Sequence, residues 1–247
     1  MNLINQNERI EDLGCKGGNI IQNPKWYTFA NDPILLVNFA KVKKDAIVCD
    51  LCSGSGIIAI LVALKSRAKQ IYGIELQECV AEMSQRSVQL NNLEEKIKIY
   101  QGKIQDYSKF LPKCSMDVVF CNPPYFKKGE SFLCDNQIKS ISRHEIELNL
   151  EDVIRVSNEL LNSKGQLYLV HKAQRLQEIL HICTKYNLYI KELMLVQAGE
   201  KVEPHLVLIK AVKNGNYGTK ILPNLILNNP NGTFTEEVNK MYAKEEI

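Results

Sequence analysis

The stretch AIVCDLCSGSGIIAI at residues 46–60 decides how this chain folds. Ala46 to Leu51 reads as a continuous apolar strand, the pattern of a strand covered on both faces. The glycine-rich run Cys52-Ser53-Gly54-Ser55-Gly56 stops it, and Ile57 to Leu64 then stays apolar for longer than a second strand would. Strand, turn, helix is the simplest assignment.

Working outward, Gln70 to Ile74 predicts a second strand, and Cys79 to Leu90 a helix with apolar residues at Val80, Met83, Val88 and Leu90. Ile97 to Tyr100 and Met116 to Cys121 predict the third and fourth strands. Residues 122–149 lose periodicity and accumulate Pro, Lys, Gly and Ser, the mark of a long functional or disordered loop. Asn149 suits the N-cap of a helix over Leu150 to Leu161. A strand at Gln166 to Val170 and a helix at Arg175 to Tyr186 follow. Leu188 to Val196 and Leu206 to Val212 read as an antiparallel pair around the turn-rich Ala198 to Pro204. Such alternation predicts an α/β fold on a mostly parallel sheet. The tail after Asn214, rich in Asn and Gly, is expected to wrap over the surface.

The chain's 247 residues suit a single large domain, with a short N-terminal segment (1–44) and a C-terminal tail (214–247). Hydrophobic residues at 45% and charged residues at 24% are ordinary for a soluble protein and argue against disorder. The opening MNLINQNERIEDLG lacks the basic end and apolar run of a secretory signal, and nothing approaches a membrane span. A cytoplasmic protein is expected. The net charge of +3 permits a nucleic-acid partner without requiring one. Cys49 and Cys52 form a C-x-x-C, but no second pair follows at zinc-ribbon spacing. Buried free thiols are therefore expected, and no metal site.

The turn after the first strand has the makings of a nucleotide site. Gly54 and Gly56 keep side chains out of a ligand's way, and the helix behind them starts with unpaired N–H groups. Glu75 ends the second strand about twenty residues later, where βαβ sites place a carboxylate on ribose hydroxyls. Ala59 stands where the dinucleotide fingerprint has its third glycine, a replacement that pattern tolerates, so spacing alone leaves NAD open.

Asn122-Pro123-Pro124-Tyr125 follows the fourth strand directly, at the carboxyl edge where open α/β sheets bind ligands. Two prolines stiffen the backbone and remove two donors, leaving carbonyls that only accept. An amino group on a heteroaromatic ring is a poor nucleophile because its lone pair is delocalised. Acceptance of its two hydrogens by the Asn122 side-chain oxygen and the Pro123 carbonyl would shift it towards a tetrahedral form. Tyr125, extended by Phe126, offers a face on which a planar base stacks.

Residues 46–75 resemble the first two motifs of class I S-adenosylmethionine methyltransferases, D-x-x-x-G-x-G and an acid one strand later. The resemblance implies a Rossmann-like fold with a seven-stranded, mostly parallel sheet, helices on both faces and a C-terminal antiparallel hairpin. It implies S-adenosyl-L-methionine as cofactor, with Asp50 near the methionine part, Cys52, Gly54 and Gly56 against it, and Glu75 with Leu76 at the ribose. The family often carries an acid after the third strand for the adenine amino group. Here Gly102-Lys103-Ile104 stands there, so backbone at Lys103 or Ile104, or the Asp106 side chain, would have to serve.

Asn122 to Tyr125 matches the N-P-P-Y motif of amino-nitrogen methyltransferases, which act on adenine, on ribosomal RNA guanine or on release-factor glutamine. DNA adenine enzymes usually add a target-recognition domain, for which there is no room here. Phe29-Ala30-Asn31-Asp32-Pro33-Ile34-Leu35-Leu36, Ser142-Arg143-His144-Glu145 and Asn231-Gly232-Thr233-Phe234-Thr235 complete a resemblance to the bacterial tRNA1(Val) adenine-37 N6-methyltransferase family. In that family the first segment packs near the cofactor, which implicates Phe29. The partner implied is the tRNA anticodon stem-loop, with no membrane and no obligatory protein partner. Lys127, Lys128, Lys139, Arg143 and His144 lie in the loop beside the reactive motif, where they would hold phosphates. Lys16, Lys25, Lys172 and Lys201 would extend that surface. Ribosomal guanine N2 and release-factor glutamine N5 methylation stay as alternatives, as does an RNA-binding module without activity, which the intact Asn122 and glycines disfavour.

Overall fold

Strands β3 (Ile47–Leu51), β4 (Gln70–Glu75), β5 (Ile97–Gln101), β6 (Met116–Cys121), β7 (Leu161–Lys172), β8 (Leu188–Gln197) and β9 (Leu206–Lys213) build the sheet that the apolar runs predict. The computed structural model describes residues 3–26, 31–125 and 148–242. The strand order is β8-β9-β7-β6-β3-β4-β5. Pairing is parallel from β7 to β5 and antiparallel where β9 joins β7 and β8, which is the expected hairpin.

Side chains alternate across the sheet with period two, so each strand feeds two cores. Val48, Phe120, Tyr168 and Val170 face α1 (Asp32–Phe39), α2 (Ile57–Lys65) and α3 (Glu78–Leu90). Cys49, Val119, Leu167 and Leu169 face α4 (Leu150–Leu160) and α5 (Leu176–Lys185). Double coverage explains why these strands read as unbroken apolar runs. Asn149 caps α4, its side chain accepting from the Asp152 amide at 2.8 Å. Of the cysteines, Cys15, Cys49, Cys121 and Cys183 are buried free thiols, whereas Cys114 is exposed.

Two regions exceed the sequence reading. Strands β1 (Arg9–Asp12) and β2 (Asn19–Gln22) form a separate antiparallel hairpin in the N-terminal segment. It is clamped onto α3, where Ile21 N–H donates to Ser87 Oγ at 3.0 Å and Arg86 grips Glu8 through its two terminal guanidinium nitrogens at 2.6 and 2.8 Å. That grip holds the Glu8 carboxyl below its ordinary pKa. The tail also does more than cover the surface. Strands β10 (Lys220–Ile221) and β11 (Leu225–Ile226) both pair in parallel with β8, making the main sheet nine-stranded. Helix α6 (Glu236–Met241) then docks beside α1 with Val238 fully buried. Lys65, buried on the otherwise apolar α2, donates to Asn38 Oδ1 at 2.6 Å and to the Met241 carbonyl at 2.8 Å. A buried ammonium needs such acceptors, and the tail supplies one.

Candidate active site

Strand β3 lies between β4 and β6, and the chain leaves it on one side and returns on the other. Such a switch point opens a crevice at the carboxyl ends of the strands. The register aligns Leu51 with Cys121, so Cys52 and Asn122 are the next residues of two adjacent strands. Strands hydrogen-bond about 4.8 Å apart, so the glycine-rich turn and the Asn-Pro-Pro-Tyr segment start side by side.

The turn is shaped by left-handed backbone at Cys52 (φ 61°), Gly54 (φ 55°) and Gly56 (φ 85°). The two glycines do different work. A Cβ on Gly54 would meet nothing within 4 Å, so open space lies in front of it, whereas one on Gly56 would strike Ser84 Oγ at 2.4 Å. Gly54 thus leaves room for a ligand, and Gly56 allows α3 to pack against the start of α2. The sequence reading assigned ligand clearance to both.

Glu75, at the end of β4, is buried. Its carboxylate accepts from the Gly54 amide at 2.9 Å and the Gln77 amide at 2.9 Å. Burial raises its pKa, and these amides oppose the rise. The carboxylate therefore fastens the turn to the strand end while keeping further lone pairs. Leu76, partly buried, is fixed through its carbonyl by the Gln101 side chain at 3.0 Å. Beneath the turn, Asp50 is fully buried, and the donors beside its carboxylate are the Ser53 hydroxyl and the Ala59 amide, neither in full hydrogen-bond geometry. Burial pushes Asp50 up to about 8, opposed by the Ser53 and Ala59 donors and reinforced by the Glu75 charge. A buried acid so weakly supported by donors suits a cationic ligand group. With the open space at Gly54 and the Glu75 carboxylate, the residues present fit S-adenosyl-L-methionine.

Beyond β5, Lys103 is exposed and Ile104 buried, and Asp106 pairs with Lys109 at 2.9 Å on the surface. The Asp106 side chain, one of the expected adenine contacts, is thus engaged by Lys109. Phe29, Phe126, Lys127, Lys128, Lys139, Arg143 and His144 lie outside the described residues.

Pro123 is buried, and Asn122, Pro124 and Tyr125 are partly exposed. The Tyr125 hydroxyl lies 2.8 Å from Asp32 Oδ2 and makes a short contact with Asn122 Oδ1. The Asn122 oxygen is therefore engaged by its own neighbour, a contact the motif alone did not suggest. One side of Tyr125 packs on His171, ring centroids 5.2 Å apart and planes tilted by 51°. His171 is fully buried, and burial, helped by the Arg175 charge, pushes its pKa down to about 3, so the ring stays neutral. Its Nδ1 accepts from the Lys172 amide at 2.8 Å.

A cleft of about 950 Å³ opens beside Asp32 and Tyr125, lined further by Lys172, Gln174, Arg175, His181 and His205. Lys172 is the one member of the expected outer lysine set that lines it. Sequence reasoning quoted Asp32 only within the segment Phe29 to Leu36 and gave it no role of its own, and it missed His171 and most of this cleft. A histidine closing the apolar run Leu167 to Val170 was the one available signal. The hairpin was missed too, although Gln22 on β2 reaches Ser55 of the turn at 3.1 Å.

Residues 32–188 match the family model described as the methyltransferase small domain. The chain is similar to the tRNA1(Val) (adenine(37)-N6)-methyltransferase of Aeromonas salmonicida, at 32% identity over 64% of this chain and 65% of that protein. It is also similar to the protein of the same name from Shewanella woodyi, at 24% identity over 93% of this chain and 92% of that one. Among solved structures, a predicted O-methyltransferase from Agrobacterium tumefaciens superposes with a TM-score of 0.69 at 21% identity, covering 87% of this chain and 99% of that one. M. jannaschii TYW2, solved in complex with AdoMet, gives 0.59 at 15% identity over 84% of this chain and 86% of that one.

Proposed function

Because this chain belongs to the methyltransferase small domain family, we propose that it transfers a methyl group from S-adenosyl-L-methionine to the exocyclic N6 of adenine in tRNA, at adenine 37 of tRNA1(Val). The observation that carries the reaction is the β3–β6 register, which starts Asn122 beside the glycine-rich turn. The substrate rests on the curated relatives, named for that tRNA position, and on the cleft beside Tyr125, whose lining includes Lys172 and Arg175.

The bound cofactor supplies an electrophilic methyl on a sulfonium. The chain's own residues hold and orient. Glu75 accepts from ribose hydroxyls, Gly54 gives the cofactor close approach, and Asp50 answers its positive charge. Asn122 and the Pro123 carbonyl accept the hydrogens of the target amine and direct its lone pair. Tyr125, backed by neutral His171, stacks on the extruded base. Positioning and charge stabilisation suffice, without a general base acting ahead of transfer.

The direct test is transfer of labelled methyl to unmodified tRNA1(Val), with N6-methyladenosine recovered on digestion. Label confined to ribosomal RNA or to a release factor would overturn the substrate. Glu75→Ala should raise the cofactor dissociation constant about 10- to 100-fold by calorimetry, the worth of one or two charge-assisted hydrogen bonds. An unchanged constant would remove Glu75 from the ribose.

A further inference from the structure

The Tyr125 hydroxyl sits between two oxygens, Asp32 Oδ2 at 2.8 Å and Asn122 Oδ1. A phenol carries a single proton, so with Asp32 ionised it cannot donate to both. Two arrangements satisfy all three groups. In one, Asp32 is protonated and donates to Tyr125, whose own proton goes to the Asn122 oxygen. In the other, Asp32 is a carboxylate that takes the phenolic proton, and the Asn122 amide is turned over so that Nδ2 donates to the phenol. The first ties the Asn122 oxygen to Tyr125. The second turns it to the opposite side of the amide, away from the phenol.

We propose that Asp32 is a positioning residue for methyl transfer: through the Tyr125 hydroxyl it selects the Asn122 orientation whose oxygen faces the target amine. The inference rests on the function proposed above. Asp32 is well placed for the role. It opens α1 and is followed by Pro33, whose ring fixes the backbone there. The Tyr125 ring is held from its other side by His171. Residues far apart in sequence thus meet in one chain of hydrogen bonds ending on Asn122. The competent arrangement requires ionised Asp32, whose pKa burial raises, opposed by Tyr125 and by the His205 charge. The other charged or titratable groups lining the cleft around it are Lys172, Arg175, Glu178 and His181. Lowering the pH through the Asp32 pKa protonates it and returns the Asn122 oxygen to the phenol, so kcat should show an acid limb.

A double-mutant cycle on the full chain with tRNA as substrate tests this. Tyr125→Phe should lower kcat about 10-fold, and Asp32→Ala about 30- to 100-fold, because the freed phenolic proton then occupies the Asn122 oxygen. The double variant should recover to the Tyr125→Phe level. Asp32→Asn, whose amide oxygen still takes the phenolic proton, should restore most of what alanine loses and remove the acid limb. Independently of turnover, the Asn122 side-chain NH2 resonance should move towards that of a free amide in Tyr125→Phe. Additive losses in the cycle, or an NH2 signal indifferent to Tyr125→Phe, overturn the proposal. Wild-type protein that methylates no tRNA overturns the substrate reading instead, and the NH2 measurement still judges the Asp32 arrangement.

Discussion

Replacing Asn122 by alanine is expected to lower kcat about 100- to 1,000-fold while changing the cofactor dissociation constant by less than about 3-fold, the signature of an interaction made with the reacting group. The amine of adenine attacks poorly because its lone pair belongs to the ring. Strong acceptance of its hydrogens is what returns that pair to nitrogen, and alanine offers no acceptor. The substitution should be structurally mild. Asn122 is partly exposed, begins after β6 has ended, and is followed by two prolines that keep their own backbone geometry. Steady-state methyl transfer and calorimetry on the same preparation separate the two effects. A dissociation constant that rises in step with the loss of kcat would place Asn122 in the cofactor's grip and leave the amine without its main acceptor.

What could be read in advance follows physical distance along the chain. Strands β3 and β6 are buried on both faces, so a few residues of each announce themselves without context. Strands β1, β10 and β11 have between two and four residues each and lie at edges. Too little periodicity accumulates there to be seen, and their pairing depends on partners that sequence does not name. The same holds within the site. Gly54, Gly56, Glu75 and Asn122 belong to contiguous motifs whose backbone demands are local. Asp32 and His171 reach Tyr125 from elements 93 and 46 residues away, and an Asp-Pro at a helix start looks like any other first turn. Even a correctly chosen residue can carry a different reason, as Gly56 does in packing against Ser84 rather than facing a ligand.

Asp50→Asn should make the ligand-free protein more stable and its cofactor binding much weaker. Asp50 is fully buried, and burial with the Glu75 charge lifts its pKa from 3.8 to about 8 against the opposing pull of the Ser53 and Ala59 donors. A carboxyl whose folded pKa lies above its unfolded one contributes stability that is complete below the unfolded value and lost as pH rises through the folded one. Across that window the ligand-free protein therefore weakens, by on the order of 4 kcal/mol at pH 7 if each unit is worth about 1.4. Asparagine has nearly the same shape and no charge, though its buried amide keeps part of the desolvation penalty. The melting temperature at pH 7 should rise by about 5 °C, and its decline between pH 4 and pH 8 should flatten. A cationic ligand beside Asp50 reverses the balance, because it favours the carboxylate and expels the proton. Cofactor binding to the wild type should accordingly release a proton, seen as a buffer-dependent calorimetric enthalpy. In the variant that release should vanish and affinity should fall more than about 30-fold. A variant that melts lower and binds the cofactor as before would mean that Asp50 serves the fold alone, and that the positive end of the ligand is met elsewhere.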